Sequence, residues 1–208
     1  PKIDGKLDDE CWKKTQRAET LVTIAEGMDV PEGYGTSVRI VHDRYNIYVA
    51  FYCRDKDGGK KGFKLPEGSA EWRTITGVDS VEVFLKPDLE KVEYYNFIAG
   101  RDGSCCDVKE YWFGWNNREW KASTSETEDG WTAEFAIPFY ALVSYWEDRP
   151  FGRNPGINLF RNRIAAKGVE STVWFDTPDR ATRKPGAFGC LEIDMSGIYY
   201  GRIGDMRL

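Results

Sequence analysis

Apolar and polar residues alternate along several short stretches of the chain, and the clearest stretch spans residues 77–87. Its β-branched and apolar residues are typical of a strand, with Gly at its front and Pro at its back. The three apolar residues at 81, 83 and 85 are predicted to share one face, with Ser80, Glu82 and Phe84 on the other. A carboxylate between two valines indicates either a solvated outer face or an acceptor on a binding face.

Comparable patterns recur along the chain with turn residues between them. They predict strands at residues 36–42, 46–53, 94–99, 107–112, 131–137, 157–164, 171–175 and 188–193. A short helix near the N-terminus is predicted to be capped by Asp8 and to point Trp12 inward. A helical turn is predicted at residues 140–145. Together they predict an all-β fold: an antiparallel β-sandwich of jelly-roll or immunoglobulin-like two-sheet type, with a short N-terminal helix.

The domain organisation follows from the length of the chain. With 208 residues, 41% of them hydrophobic, one sandwich with a full core is expected. We assign residues 1–195 to it and residues 196–208 to a C-terminal tail or edge strand. The sequence shows no signal peptide, and its abrupt start at Pro1 suggests a piece cut from a longer precursor.

Charge and cysteine content exclude several classes of function. The net charge of -5 argues against nucleic acid as a partner, and no apolar run approaches the roughly 20 residues of a membrane span. The five cysteines include no Cys-x-x-Cys pair and His42 is the only histidine, so a zinc site is not expected. An odd number leaves at least one thiol free or paired between chains. Cys53 and Cys190 lie in predicted strands and are expected to be buried.

Several of these segments, in this order, resemble the family 9 carbohydrate-binding modules. The matching segments are residues 3–8 with Trp12, then 46–50, 79–84, 130–134 with 137–138, and 188–191. The likeness covers about residues 3 to 194. It implies a secreted or cell-surface β-sandwich that binds an oligo- or polysaccharide and has no catalytic activity. A catalytic glycoside hydrolase domain in the same precursor is the implied partner, and structural calcium is the one implied cofactor.

The resemblance also implies a binding site. In this family two tryptophans sandwich a terminal sugar while polar side chains bind its hydroxyls. Glu82 matches the family's glutamate and Asn96 falls near its basic or amide residue. Trp72 is the candidate for the first tryptophan. The place of the second falls near Thr182, and Trp174 lies near the same binding loop.

Two further segments carry candidate chemistry with more than one interpretation. Arg161 lies among apolar residues, and either points to solvent or faces the ligand and favours an acidic sugar such as a uronate. The segment 55–58 reads Asp-Lys-Asp-Gly, which is either a plain polar turn or a contributor of oxygen ligands to a hard cation. Trp115 and Trp120 are predicted to pack in the core, and they are the alternative stacking platform if the Glu82 face binds nothing.

The same residues also bear on two other functions. An enzyme would have to use Glu82 and Glu134 as a glycosidase pair, but both occupy strand positions and no nucleophile motif is present. Haem binding would have to use His42 and Met28. The sequence favours a non-catalytic carbohydrate-binding module, and the alternative is a structural or interaction β-sandwich that has lost sugar binding.

Overall fold

The computed structural model describes residues 1–18, 22–23, 30–58, 78–110, 115–117, 119–142, 155–165, 168–175 and 188–193. Its secondary structure is almost entirely β. In chain order the elements are α1 (Glu10–Lys14), β1 (Val22–Thr23), β2 (Thr36–His42), β3 (Asn46–Arg54), β4 (Ser80–Lys86), β5 (Tyr95–Gly100), β6 (Cys105–Lys109), β7 (Lys121–Thr127), β8 (Gly130–Pro138), a 3-10 helix (Phe139–Leu142), β9 (Gly156–Ala165), β10 (Gly168–Val173) and β11 (Gly189–Cys190).

The strands form two antiparallel sheets. Sheet I has the order β1-β10-β9-β4-β5-β6, with β11 also paired to β9, and sheet II has the order β2-β3-β8-β7. Strand β4 lies in the middle of sheet I between β9 and β5. The sequence-based prediction of a two-sheet antiparallel β-sandwich is therefore confirmed.

The main core fills the space between the sheets. Alternate residues of β4 and β5 face alternate residues of β3 and β8, as strand geometry requires. The core includes Val81, Phe97, Phe51 and Trp131, all fully buried. Glu82 and its alternate neighbours therefore lie on the opposite, outer face of sheet I. Every residue of β4 is buried, so this outer face is covered as well.

The N-terminal segment covers the outer face of sheet II. Trp12, from α1, is 1% exposed and packs on Tyr48 and Ala50. Gly5 has φ +83°, and a Cβ there would lie 2.6 Å from the backbone carbon of Thr124, so only glycine fits this close approach. The predicted burial of Trp12 is confirmed.

A network of buried charges joins the two sheets at one end of the sandwich. The carboxylate of Asp55 accepts from Arg101 at 3.1 Å and from Arg163 at 3.2 Å. Arg101 also contacts Asp79 at 3.4 Å and Glu126 at 2.7 Å. The guanidinium groups neutralise the fully buried carboxylates of Asp55 and Asp79, as buried charges require.

Some local predictions were wrong. Helix α1 begins at Glu10 with Asp9 in the N-cap position and no side-chain cap, so Asp8 does not cap it. Cys190 is exposed, because β11 is only two residues long and Gly189 is its buried member. Strand β7 was not predicted, because its small polar residues show no apolar alternation. All five cysteines are free. Residues 194–208, which include the predicted tail, lie outside the described residues.

Among the residues that the structure describes, no helix is long and apolar enough to cross a membrane.

Candidate functional site

A carboxylate and two amides meet on the outer face of sheet I. The side-chain amide of Asn96 donates to Glu82 Oε2 at 2.7 Å. The amide of Asn162 donates to Glu82 Oε1 at 2.6 Å. These three residues define the polar triad of the outer face.

The strand register explains why these three side chains lie close together. Asn96 on β5 lies opposite Phe84, and Asn162 on β9 lies opposite Ser80, so each amide is a diagonal neighbour of Glu82. Diagonal neighbours on one face are within reach of side chains of this length. Ser171 on β10, opposite Asn162, donates from its hydroxyl to Asn162 Oδ1 at 2.7 Å. The chain of hydrogen bonds thus crosses four strands, which holds the triad rigid.

The hydrogen bonds within the triad determine which of its polar atoms remain available to a ligand. Because Glu82 accepts from both amides, their nitrogen atoms must face it and their oxygen atoms must face away. Asn162 Oδ1 is used by Ser171, whereas Asn96 Oδ1 is buried and has no partner among the described residues. Each carboxylate oxygen keeps accepting capacity, so the triad offers acceptors to a ligand that donates. Glu82 is 8% exposed and Asn96 is 1% exposed.

Aromatic rings lie beside the triad on the same face. Phe84 and Phe160 pack with ring centroids 4.8 Å apart, and Tyr94 and Phe188 complete the cluster. Lys86 ends the strand on this face, and its ammonium lies 5.6 Å from the ring of Phe188. Burial lowers the pKa of Lys86. At about 3.3 Å per residue, Lys86 lies about 13 Å along β4 from Glu82, too far to pair with it.

The other predicted site residues do not join the triad. Arg161 lies opposite Val81, so its side chain points between the sheets, away from Glu82. Its Nη1 donates to the carbonyl of Tyr34 at 2.8 Å and to Thr36 Oγ1 at 3.2 Å, and it is 1% exposed. The prediction that Arg161 faces solvent was wrong, and the pairing register places Arg161 away from the face of Glu82, because odd-numbered residues of β9 lie on the core face.

The two candidate tryptophans have different outcomes. Trp174 is partly buried and packs against the main core, and its backbone donates to Leu159 at 3.0 Å. Trp72 lies outside the described residues, as does Thr182. Trp115 and Trp120 are partly buried against the core, and Trp120 stacks on Phe135 at 6.0 Å.

Asn162 and Ser171 were not predicted as site residues. In the segment 158–163 the predicted site residue was Arg161. The register shows instead that the even-numbered residues, including Asn162, share the outer face with Glu82. The alternation of residues in β9 separates its two faces, but the sequence does not say which face is shared with Glu82. Only the register of β9 against β4 shows that Asn162 lies on that face.

The candidate catalytic pair is separated by the whole sandwich. Glu82 lies on the outer face of sheet I, whereas Glu134 lies on the outer face of sheet II, opposite Ala50. Sheets in a sandwich pack about 10 Å apart, so the two carboxylates cannot flank one glycosidic bond. Glu134 is 0% exposed and binds the N-terminal segment instead.

The segment around Asp55 does not fit a hard cation. Asp55 is committed to two guanidinium groups, and Asp57 accepts from Arg163 at 2.9 Å and from the Tyr34 hydroxyl at 2.6 Å. Within the described residues, no three acidic, cysteine or histidine side chains are grouped to hold a metal ion. Guanidinium groups occupy the positions that a calcium ion would need there.

The chain resembles parts of two long enzymes. It is 30% identical over 194 residues to exoglucanase XynX of Acetivibrio thermocellus, and 25% identical over 194 residues to endo-1,4-beta-xylanase A of Thermoanaerobacterium saccharolyticum. Each match covers 92% of this chain but only 16% and 15% of the relative, respectively. The chain therefore spans about a sixth of the length of these relatives.

Solved structures show the same fold. A family 9 carbohydrate-binding module from Caldicellulosiruptor kristjanssonii, in complex with glucose, matches with a TM-score of 0.66 and 16% identity over 100% of this chain and 95% of that one. A module from the same organism, in complex with cellotriose, matches with a TM-score of 0.62 and 16% identity over 91% and 87% of the two chains.

The family model described as "Carbohydrate family 9 binding domain-like" matches residues 3–195. This match spans nearly the whole chain, and it agrees with the two-sheet fold. The chain belongs to the family 9 carbohydrate-binding modules, which bind sugars and are not catalytic.

Proposed function

We propose that this domain binds a neutral oligosaccharide non-covalently through the polar triad of Glu82, Asn96 and Asn162. The single observation that carries the proposal is the carboxylate held between two amides on rigid neighbouring strands. Sugar hydroxyls donate and accept hydrogen bonds, and a site formed before binding loses little entropy on association. The remaining lone pairs of Glu82 are the acceptors for those hydroxyls.

The charge of the triad favours a neutral sugar over an acidic one. Glu82 forms hydrogen bonds with two amides, and no ion pair to it is found among the described residues. Arg161, which could have paired with a uronate, is on the opposite face. A uronate carboxylate would therefore meet the charge of Glu82 without a cation to neutralise it.

The ligand class is a plant-polysaccharide fragment of the cello- or xylo-oligosaccharide type. Support comes from the relatives, which are an exoglucanase and a xylanase by name, and from similar modules solved with cellotriose and glucose. We also propose that the domain is a secreted targeting module attached to a glycoside hydrolase, and that it contributes no catalytic step.

Two elements of the family pattern remain part of the proposal. Trp72 stacks on the sugar ring at the edge of the outer face. A structural calcium ion, if one is bound, would brace a loop other than the one at Asp55 and would not touch the ligand. Removing the ion with a chelator should then lower thermal stability and leave the sugar affinity at low temperature unchanged.

A second candidate function is a structural domain that has lost sugar binding. The burial of the triad favours it, because Glu82 and Asn96 expose 8% and 1% of their surface. The sequence also favours it, because the family's second stacking tryptophan is missing and Thr182 lies near its place.

Calorimetric titration separates the two functions. The panel contains cello-oligosaccharides, xylo-oligosaccharides and uronate-substituted versions of the same chains. The proposal expects heat of binding with at least one neutral ligand and weaker binding of its uronate-substituted counterpart. An absence of binding across the whole panel would instead establish the structural role.

A further inference from the structure

One edge of the Arg161 guanidinium is buried between the sheets and has no hydrogen-bond partner in the described part of the chain. Nη1 is used by Tyr34 and Thr36, but Nε and Nη2 are buried and have no hydrogen-bond partner among the described residues. These two nitrogens form the side of the guanidinium that presents parallel N–H groups, the arrangement that binds anions through two hydrogen bonds.

A third buried donor without a partner among the described residues lies on the neighbouring strand β10. Thr172 on β10 lies directly opposite Arg161 on β9, so both side chains project to the core face. Directly opposed residues have Cβ atoms about 5 Å apart. Thr172 Oγ1 is buried, again without a partner in the described part of the chain.

The carboxylates nearby are already committed. Asp79 interacts electrostatically with Arg161, but its Oδ1 accepts from the backbone of Ile164 at 2.6 Å and its Oδ2 from Arg101 at 3.4 Å. Asp55 is shared between Arg101 and Arg163. A buried guanidinium with free N–H groups is costly, because it loses its hydration without replacement.

We propose that Arg161 and Thr172 form an interior site for a small inorganic anion of the halide type, with chloride as the physiological occupant. The two residues supply three donors without partners and one positive charge, so an anion is preferred there over a cation. Arg161 also donates to Tyr34, just before β2, and to Thr36 in β2 of sheet II, so the anion would fix a side chain that joins the two sheets. The site is separate from the polar triad, since it lies on the other face of sheet I.

Two measurements test the site, one by diffraction and one in solution. Crystals grown in bromide should show an anomalous peak within hydrogen-bonding distance of Arg161 Nε and Nη2. In solution, chloride is exchanged for gluconate at constant ionic strength, so that screening of the other ion pairs does not change. The unfolding midpoint should rise with chloride concentration in a saturable way, and the midpoints give an apparent dissociation constant.

A matched pair of variants ties the effect to this position. Thr172→Val removes one donor without changing the shape and should weaken the anion affinity about tenfold. Thr127→Val removes a buried hydroxyl from sheet II and should leave the affinity unchanged. If the wild type shows no chloride-specific shift, or if the bromide map shows no anomalous peak there, water fills the position and the anion site is disproved.

Discussion

The indole Nε1 of Trp12 donates to Oε1 of Glu134 at 2.7 Å, in a fully buried contact between helix α1 and the centre of sheet II. The other carboxylate oxygen accepts from the backbone of Asp4 at 3.1 Å and of Gly5 at 2.7 Å. One buried carboxylate therefore fastens the whole N-terminal segment to the sandwich.

This contact distinguishes two buried tryptophans. Trp131 is also fully buried, but its Nε1 has no partner among the described residues. Trp12→Phe should therefore cost about 1–3 kcal/mol more than Trp131→Phe, since only the first change leaves a buried carboxylate short of a donor. Truncation of either residue to Ala should cost about 3–5 kcal/mol. Urea denaturation gives all four values. Equal costs for the two Phe variants would contradict the role of the hydrogen bond.

Glu134 also makes stability depend on pH. Burial raises its pKa above the ordinary value of 4.5, although the hydrogen bonds from Trp12, Asp4 and Gly5 act in the opposite direction. The folded state therefore holds the Glu134 proton more tightly than the unfolded state. The free energy of unfolding of the wild type, relative to Glu134→Gln, should rise as the pH falls from neutrality towards 4.5 and then level off. A difference that stays constant across this range would show that the pKa of Glu134 is not raised.

The sequence predicted the strands that bury an apolar face and missed one that does not. Strand β4 has alternating valines and was predicted together with its faces. Strand β7 reads Lys-Ala-Ser-Thr-Ser-Glu-Thr and lies at an edge of sheet II, where β8 is its strand partner. Its backbone hydrogen bonds form with a strand that is near in sequence, which periodicity of a single segment does not show.

The sequence could indicate site residues within one strand, but not how neighbouring strands are aligned. Alternation placed Glu82 on its face, the family resemblance pointed to Asn96 on the neighbouring strand, and the structure brings the two into contact. Asn162 and Arg161 are neighbours in sequence but lie on opposite faces of sheet I. Asn162 lies beside Glu82, whereas Arg161 lies between the sheets. Only the register of β9 against β4 decides between them, and a shift of one residue would exchange them.

The buried charge network should respond sharply to the loss of its central carboxylate. Asp55→Asn leaves Arg101 and Arg163 without their shared buried anion and should cost about 3–5 kcal/mol. Asp57→Asn makes the same chemical change to a side chain that also pairs with Arg163 but is 58% exposed, and it should cost less than about 1 kcal/mol. Urea unfolding compares the two without adding salt. Similar costs would show that the Asp55 pairs contribute no more than surface pairs.

The proposed sugar site is tested most directly at Glu82. Glu82→Gln keeps the shape of the side chain but replaces one oxygen atom with a donor, which must then face an amide nitrogen of Asn96 or Asn162. Loss of charged hydrogen bonds to sugar hydroxyls should weaken binding by about 1.5–3 kcal/mol. Glu90→Gln, at an exposed position beyond the end of β4, is the matched control and should bind as the wild type does.

Trp72→Ala completes the test of the site, because the proposed stacking ring contributes energy only when the sugar is bound. It should weaken binding and leave the unfolding midpoint unchanged, whereas Glu82→Gln should change the midpoint as well, since it disturbs the hydrogen bonds across four strands. Calorimetric titration with the best ligand of the panel measures the affinities. If both variants bind that ligand like the wild type, the sugar occupies another surface, and the partly buried Trp115 and Trp120 become the next residues to substitute.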